Sequence, residues 1–210
     1  MPSASRANRV LRVTSPAMPQ WGGNPALEPV AVEGHEGLSR LFAYTVTLST
    51  REQPGLNERQ AANIAIKQLV GEPLAVHILL DGRPGANGEW RHLSGLVTRV
   101  RFLRLENRRA LYEAEIAPWL TLATRSSDYR IFQHKTVLDI VREVLSPYGF
   151  ALDLRASRSY PARDFQVQYG ETDFDFVARL LHEWGLYFHF EHAEDKHTLV
   201  TVSYTHLTLP

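Results

Sequence analysis

The sequence predicts an α+β fold that is mainly β, an antiparallel barrel or sandwich carrying short peripheral helices. Three observations point there. Apolar residues alternate with polar ones in many short runs at roughly 8–15-residue spacing, separated by Gly- and Pro-rich turns. The regular β–α alternation of a parallel sheet is missing. Only two stretches, both in the second half, carry apolar residues at helical spacing behind a capping residue.

With 210 residues, 44% of them hydrophobic, the chain can bury one large core or two small ones. Lys plus Arg equals Asp plus Glu at 23 each, and this zero formal charge argues against a dedicated nucleic-acid or membrane-surface protein. The absence of cysteine removes disulfide frameworks, zinc fingers and thiol nucleophiles. The start, MPSASRANRVLRV, lacks the apolar core of a secretory signal, and no run reaches membrane-spanning length. Synthesis and folding in the cytoplasm are expected, with any export by a route independent of such a signal.

Residues 1–8 read as a frayed tail. Val10, Leu11 and Val13 suggest a first strand, followed by a Pro/Gly-rich loop that carries Trp21. Leu27 to Glu33 reads as a strand, and GHEGLSR turns the chain into a second, where Phe42, Tyr44, Val46 and Leu48 alternate with Ala43, Thr45 and Thr47. Ala61 to Leu69 is expected as a short helix ending at Gly71. Leu74 to Leu80 reads as a strand closed by Asp81-Gly82, with a further turn-rich loop at RPGANGE. His92 to Leu103 and Ala110 to Ala117 look like an antiparallel pair.

Pro118-Trp119-Leu120 opens a helical turn. Thr136 and Asp139 then form a T-x-x-D capping box ahead of a stripe of Val137, Val141, Val144, Leu145 and Tyr148, with Gly149 as the stop and Pro147 distorting the last turn. Further on, Phe165, Val167 and Tyr169 alternate with Gln166, Gln168 and Gly170, the pattern of a strand whose apolar face is buried. Thr172 and Asp175 make a second box, and Asp173 and Asp175 place charge at the first-turn amides. Phe174, Val177, Leu181 and Trp184, widened by Phe176 and Leu180, form the stripe, and Gly185 ends the helix. Leu186, Phe188 and Phe190 return the chain to strand, Ala193 to Lys196 forms a hairpin loop, and His197 to Val200 begins the returning strand. The two capped helices share their cap, stripe and stop positions at a constant offset, read as what helix physics demands of any two such helices, with one helix–strand module used twice as the alternative.

The run Gln168, Tyr169, Glu171, Thr172, Asp173, Phe174, Phe176, Arg179, Leu180, Glu183, Gly185, Leu186, Phe188 and Phe190 resembles the signature segment of the VgrG family, the spike proteins of type VI secretion systems, with relatives among contractile-phage tail hub and late-control proteins. His182 stands where the family often has an acid. A second block resembles the family through Pro118, Trp119, Leu120, Arg130, Ile131, Phe132, Gln133, Lys135, Thr136 and Ile140. Weaker echoes are Glu36, Leu38, Ser39 and Phe42, and the Gly95-Leu96-Val97 triplet.

The resemblance implies antiparallel β-barrel hub domains with short peripheral helices. It divides the chain into a first barrel-like domain at 9–118 and a helix–strand segment at 119–201 that begins a second, incomplete one. Residues 202–210 are expected to be non-native: Val202 to Leu207 can be encoded by a transposon end used in sequencing adapters, with the native chain continuing in its place. Implied partners are two further copies in a homotrimer, an Hcp-like tube hexamer, and a PAAR-type tip protein and effectors reached through downstream parts. Nucleic acid, stable membrane insertion and cofactors are not expected. Hub motif residues are expected to be structural, not catalytic.

His182, Glu183, His189, Glu191 and His192 form the densest metal-ligand candidate, but no second histidine follows His182 at the spacing of an H-E-x-x-H helix, and tetrahedral zinc needs three or four converging ligands. Capping accounts for Glu171, Asp173 and Asp175 without a catalytic role. Arg99, Arg101, Arg104, Arg108 and Arg109 make a basic strip, read as a solvated or subunit-facing edge. A metal- or carboxylate-dependent hydrolase around His189 is the competing class; stoichiometric metal lost in His189→Ala would favour it. A phage-tail hub is the other alternative, and it shares the expected fold.

Overall fold

The computed structural model describes residues 10–80, 88–155 and 157–203. In chain order its elements are β1 (Leu11–Thr14), β2 (Gln20–Trp21), β3 (Asn24–Pro25), β4 (Leu27–His35), β5 (Ala43–Thr50), α1 (Glu58–Ala61), a 3₁₀ turn at Ile66–Leu69, β6 (Pro73–Leu79), β7 (Trp90–Glu106) and β8 (Arg109–Ala117). A 3₁₀ turn at Trp119–Thr124 leads into β9 (Ser127–Lys135), α2 (Val137–Leu145), β10 (Leu152–Arg155), β11 (Arg163–Thr172), α3 (Asp173–Glu183), β12 (Leu186–His192) and β13 (His197–Ser203). The fold is mainly β, as the alternation requires. The expected tail at 1–8, the Asp81-Gly82 turn and most of the RPGANGE loop lie outside the described residues. Of the expected non-native tail, Val202 and Ser203 continue β13 and the rest lies outside them too.

Two compact units make up the chain. The first comprises Met1–His35, Phe42–Ala117 and His192–His197. Its sheet runs β1-β6-β7-β8-β5-β4, with antiparallel pairing throughout, and it curls until the edge strands β1 and β4 approach within 8 Å between Cα atoms. Period-2 patterning drives this: Tyr44, Val46 and Leu48 of β5 and Ala110, Tyr112, Ala114 and Ile116 of β8 are all buried, while Glu113 and Glu115 point outward. Gly95 lies where no side chain fits, because a Cβ there would sit 2.8 Å from the Ala117 carbonyl oxygen and 3.1 Å from the Phe42 ring. Two bulges, between Val97 and Arg99 and between Phe102 and Arg104, bend β7 as it crosses the barrel.

The helix expected over Ala61 to Leu69 is instead two short pieces. Asn57 and Gln60 form a reciprocal capping box that starts α1 earlier, at Glu58. Continuation fails because the Ile64 amide donates to the Tyr112 hydroxyl at 3.2 Å, and that hydroxyl in turn donates to the Ala61 carbonyl at 2.5 Å. A barrel side chain thus takes the donor that the next helical turn would need.

The second unit comprises Glu36–Leu41, Pro118–Glu191 and Thr198–Pro210. Helices α2 and α3 bury their stripes with Trp119, Leu120, Phe132 and Phe188, and the Phe132 and Phe176 rings stack at 5.6 Å. Both T-x-x-D boxes form: the Thr136 hydroxyl accepts from the Asp139 amide and donates to its carboxylate, and Thr172 does the same with Asp175. Gly149 and Gly185 take positive φ at 71° and 66° after the helices. Pro147 lies in a 3₁₀ turn that extends α2, where its missing amide costs nothing. One three-stranded sheet runs β10-β13-β12, with β10 and β13 parallel, and β9 pairs with β11 in a separate antiparallel ribbon.

Candidate assembly interface

The β9–β11 ribbon reverses the expected polarity of its segment. Gln166 and Gln168 face inward, 9% and 0% exposed, whereas Phe165 and Tyr169 are 67% and 79% exposed. The expectation that Phe165, Val167 and Tyr169 form the buried face is therefore corrected. The cause is a charge that only tertiary structure supplies. Asp173, at the first turn of α3, is buried and accepts from the Arg130 guanidinium, from Gln168 Nε2 at 2.8 Å and from the Tyr148 hydroxyl at 2.8 Å. Arg130 Nε donates to Gln168 Oε1 at 3.0 Å, and Gln168 Nε2 also reaches the Glu171 carbonyl at 3.1 Å. Burial, reinforced by the Asp173 carboxylate, pushes the Tyr148 phenol above its usual range. A buried carboxylate is tolerated only when its lone pairs are met, and this network meets them. Gln168 and Asp173 must point inward, so their strand neighbours point out.

The remaining motif residues are placed just as specifically. Glu171 pairs with Arg179, whose guanidinium also reaches the Val167 carbonyl at 3.3 Å. Glu183 pairs with Arg163 at 2.6 Å, and Arg163 lies over the Trp184 ring. Phe174 packs edge-on to Phe188, while Phe176 and Leu180 are fully buried. Gly185 leaves room for Arg158, which donates to the Trp184 carbonyl at 3.0 Å. Phe132 is buried on the inner side of β9, and Gln133 is exposed on the outer side.

The outer face of the ribbon is set by register. Tyr129 stands opposite Tyr169, Ile131 opposite Val167 and Gln133 opposite Phe165. The two tyrosine rings meet edge to face at 5.1 Å. Tyr129 also lies across Gly170, whose positive φ of 65° is a conformation that glycine adopts most readily. Sequence reasoning assigned no strand to Ser127–Lys135; the alternation of Tyr129, Ile131 and Gln133 with Arg130 and Phe132 was the available signal.

The candidate metal ligands are occupied elsewhere. Glu191 accepts two bonds from Arg155, which hold its carboxyl below the usual range, and His189 stands 3.6 Å from the same carboxylate. His182 is exposed in the last turn of α3. In the first unit, His192 Nδ1 accepts from the Ser94 amide at 3.0 Å. Among the described residues no group of three or more His, Asp or Glu side chains converges as metal ligands would. The basic strip is compensated at four positions: Arg99 with Glu115, Arg101 with Glu113, Arg104 with Glu106, and Arg109 with Glu28 and Glu52. Arg108 occupies a hairpin turn at positive φ.

Comparison with known proteins agrees with this picture. The model of the phage tail baseplate hub (GPD) family matches residues 35–206. The type VI secretion system spike protein VgrG1a of Pseudomonas aeruginosa is 37% identical over 171 residues, covering 80% of this chain. VgrG1c of the same organism is 35% identical over 197 residues, covering 93% of this chain. The chain spans about a quarter, 24%, of the length of each of these relatives. Among solved structures, an Escherichia coli type VI secretion component, described as similar to the T4 bacteriophage tail proteins gp27 and gp5, superposes with a TM-score of 0.69 at 26% identity, over 92% of this chain and 48% of that one. A prophage tail protein from Shewanella oneidensis shares the fold at a TM-score of 0.57 and 14% identity, over 93% of this chain and 55% of that one. On the family match, the fold and the inward-facing Gln168–Asp173 motif that organises it, the chain belongs to the phage tail baseplate hub family.

Proposed function

We propose that this chain is the N-terminal hub part of a type VI secretion spike, a mechanical component that assembles as a homotrimer on an Hcp-like tube. One observation carries the reading. In the motif segment the charged side chains Glu171, Asp173, Arg179 and Glu183 are all engaged within the fold, and what the ribbon presents outward is an apolar, aromatic face. Such a surface suits permanent packing between subunits, not turnover of a substrate. Contacts with a PAAR-type tip and with effectors would be made by downstream parts of a longer protein. The protein would be made in the cytoplasm and exported through the secretion apparatus. Among the described residues no helix is long and apolar enough to cross a membrane.

The phage-tail hub is the second reading, supported by the shared fold of solved tail proteins. Identity of 37% over 171 residues to a spike protein favours the secretion machine. The test is light scattering on this chain extended through its native downstream sequence. A trimer is expected, and a clean monomer at high concentration overturns the proposal.

A further inference from the structure

One row of side chains crosses the first unit's sheet at a place where charge can be added by protons. In the antiparallel register Arg12 of β1 stands opposite His77 of β6, and His77 stands opposite His92 of β7. His77 is 5% exposed, and both its ring nitrogens are engaged. Its Nδ1 lies 2.8 Å from His92 Nδ1, and its Nε2 lies 2.8 Å from the Thr14 hydroxyl on β1. The two rings meet edge to face at 5.0 Å between centroids.

Two ring nitrogens at that separation are bonded only while a single proton lies between them. A pair of neutral imidazoles meets this condition when one carries its proton on Nδ1, and so does one imidazolium beside one imidazole. Two imidazolium rings fail it. Each then presents an N–H, the bond is lost, and two like charges face each other across adjacent strands. Among the described residues no third His, Asp or Glu joins the pair as a metal ligand would, which leaves the proton as their link.

The surroundings decide which way acid pushes. Arg12 already places a cation at one end of the row, its guanidinium 4.3 Å from the centre of the Trp90 ring. Glu194, in the loop between β12 and β13 that belongs to the same unit, is the anion facing His77. While both histidines are neutral, Arg12 and Glu194 cancel; each proton taken up then leaves one positive charge uncompensated. Burial, with His92 and Arg12 adding to it and Glu194 opposing, holds the His77 imidazole below its ordinary range. Strand β1 is the element least able to bear the strain, being four residues long, at the edge of the sheet and paired with β6 alone. When β1 leaves, His77 meets water and takes its proton near the ordinary value of about 6.5. The seated strand delays that proton, so its hold weakens as pH falls below about 6.5.

We propose that the Arg12–His77–His92 row is a proton-operated latch, holding edge strand β1 on the sheet at neutral pH and releasing it in mild acid. The proposal goes beyond the hub reading and stands or falls separately from it.

Amide hydrogen exchange followed by NMR on the 210-residue chain, corrected for the intrinsic effect of pH on exchange, tests it. The Leu79 amide is the reporter, because it donates to the Val10 carbonyl at 2.9 Å and is uncovered when β1 leaves. Its protection should fall about fivefold or more between pH 7 and pH 5. The Val46 amide, in β5 between two paired strands, should keep its own. His77→Gln offers Thr14 and His92 a polar side chain that cannot charge, and it should abolish the fall; His92→Gln should do the same and replaces it if far-UV circular dichroism shows His77→Gln unfolded. His197→Gln should leave the fall in place. Equal protection of Leu79 at both pH values overturns the proposal, as does a fall that persists in the folded His77 or His92 variant. A fall shared by Val46, or one lost in His197→Gln, overturns it too, since either assigns the effect to the whole unit and not to the row.

Discussion

Replacing Asp173 with alanine separates two accounts of the motif. If Asp173 serves only as a first-turn carboxylate, its removal forfeits a helix-dipole interaction of about 0.3–1 kcal/mol that salt would screen. The geometry asks for more. Gln168, 0% exposed, loses one acceptor and keeps the Glu171 carbonyl at 3.1 Å. Tyr148 loses its bond to the carboxylate, formerly 2.8 Å. Arg130 loses a buried counter-charge, but its side chain is 27% exposed and Asp128 stands 3.1 Å away as a substitute. Hydrogen bonds to charged groups are worth about 1.5–3 kcal/mol when buried, and breaking a buried pair costs about 3–5 kcal/mol. Discounting for the exposure of Arg130 and the retained partner of Gln168, a loss of about 3 kcal/mol is expected. Asp173→Asn, which keeps an acceptor oxygen and removes the charge, should lose about half as much. Hydrogen exchange at the α3 amides during a urea titration reads the second unit directly. A loss under about 1 kcal/mol that falls further in high salt would refute the network and reinstate the dipole account.

Three further outcomes follow from local geometry. His197 is buried, its ring edge-on to Phe42 at 5.4 Å, and burial, with nearby His192 adding to it, pushes its pKa down to about 4. The unfolded chain then binds a proton before the folded one, so stability should fall as pH drops from about 6.5 towards 4, by on the order of 3 kcal/mol. Urea midpoints against pH should show this slope and lose it in His197→Gln. In the β7–β8 hairpin, Asn107 and Arg108 both hold positive φ, 48° and 65°, which a glycine adopts more cheaply than arginine. Arg108→Gly should raise stability by about 0.5–1 kcal/mol in thermal unfolding. Gly95→Ala should cost about 1–3 kcal/mol by overpacking, because the Ala117 backbone cannot yield as a flexible side chain would; an unchanged melting temperature would contradict the close approach.

What the sequence made legible was what neighbours decide. Thr136 and Thr172 cap, and Gly149 and Gly185 stop, because a hydroxyl three residues from an amide and a residue free to take positive φ are local facts. The barrel strands were legible for a similar reason: in β5 and β8 a two-residue period of large apolar side chains has one economical solution. The misses share the opposite cause. α1 stops where it does because Tyr112, distant in sequence, takes the Ile64 amide. The parallel pairing of Leu152–Arg155 with Leu199–Val202 joins segments separated by a helix and two strands. β9 went unread because its inner face carries Arg130, which reads as surface until Asp173 is placed beside it.

β11 shows why alternation alone cannot say which face is inside. The period of Phe165 to Tyr169 is plain in the sequence, but its sign is set by Asp173, the first residue of α3, whose carboxylate commits Gln168 inward. Once that amide is committed, the pleat forces Phe165 and Tyr169 outward whatever their hydrophobicity. A fold that buries glutamines and exposes aromatics forgoes burial that the isolated subunit could otherwise have had. The same charge that specifies the interior of the second unit therefore also selects which side chains the ribbon leaves exposed. The two faces of one strand cannot be chosen independently, so fixing one amide inward fixes the outer face as well.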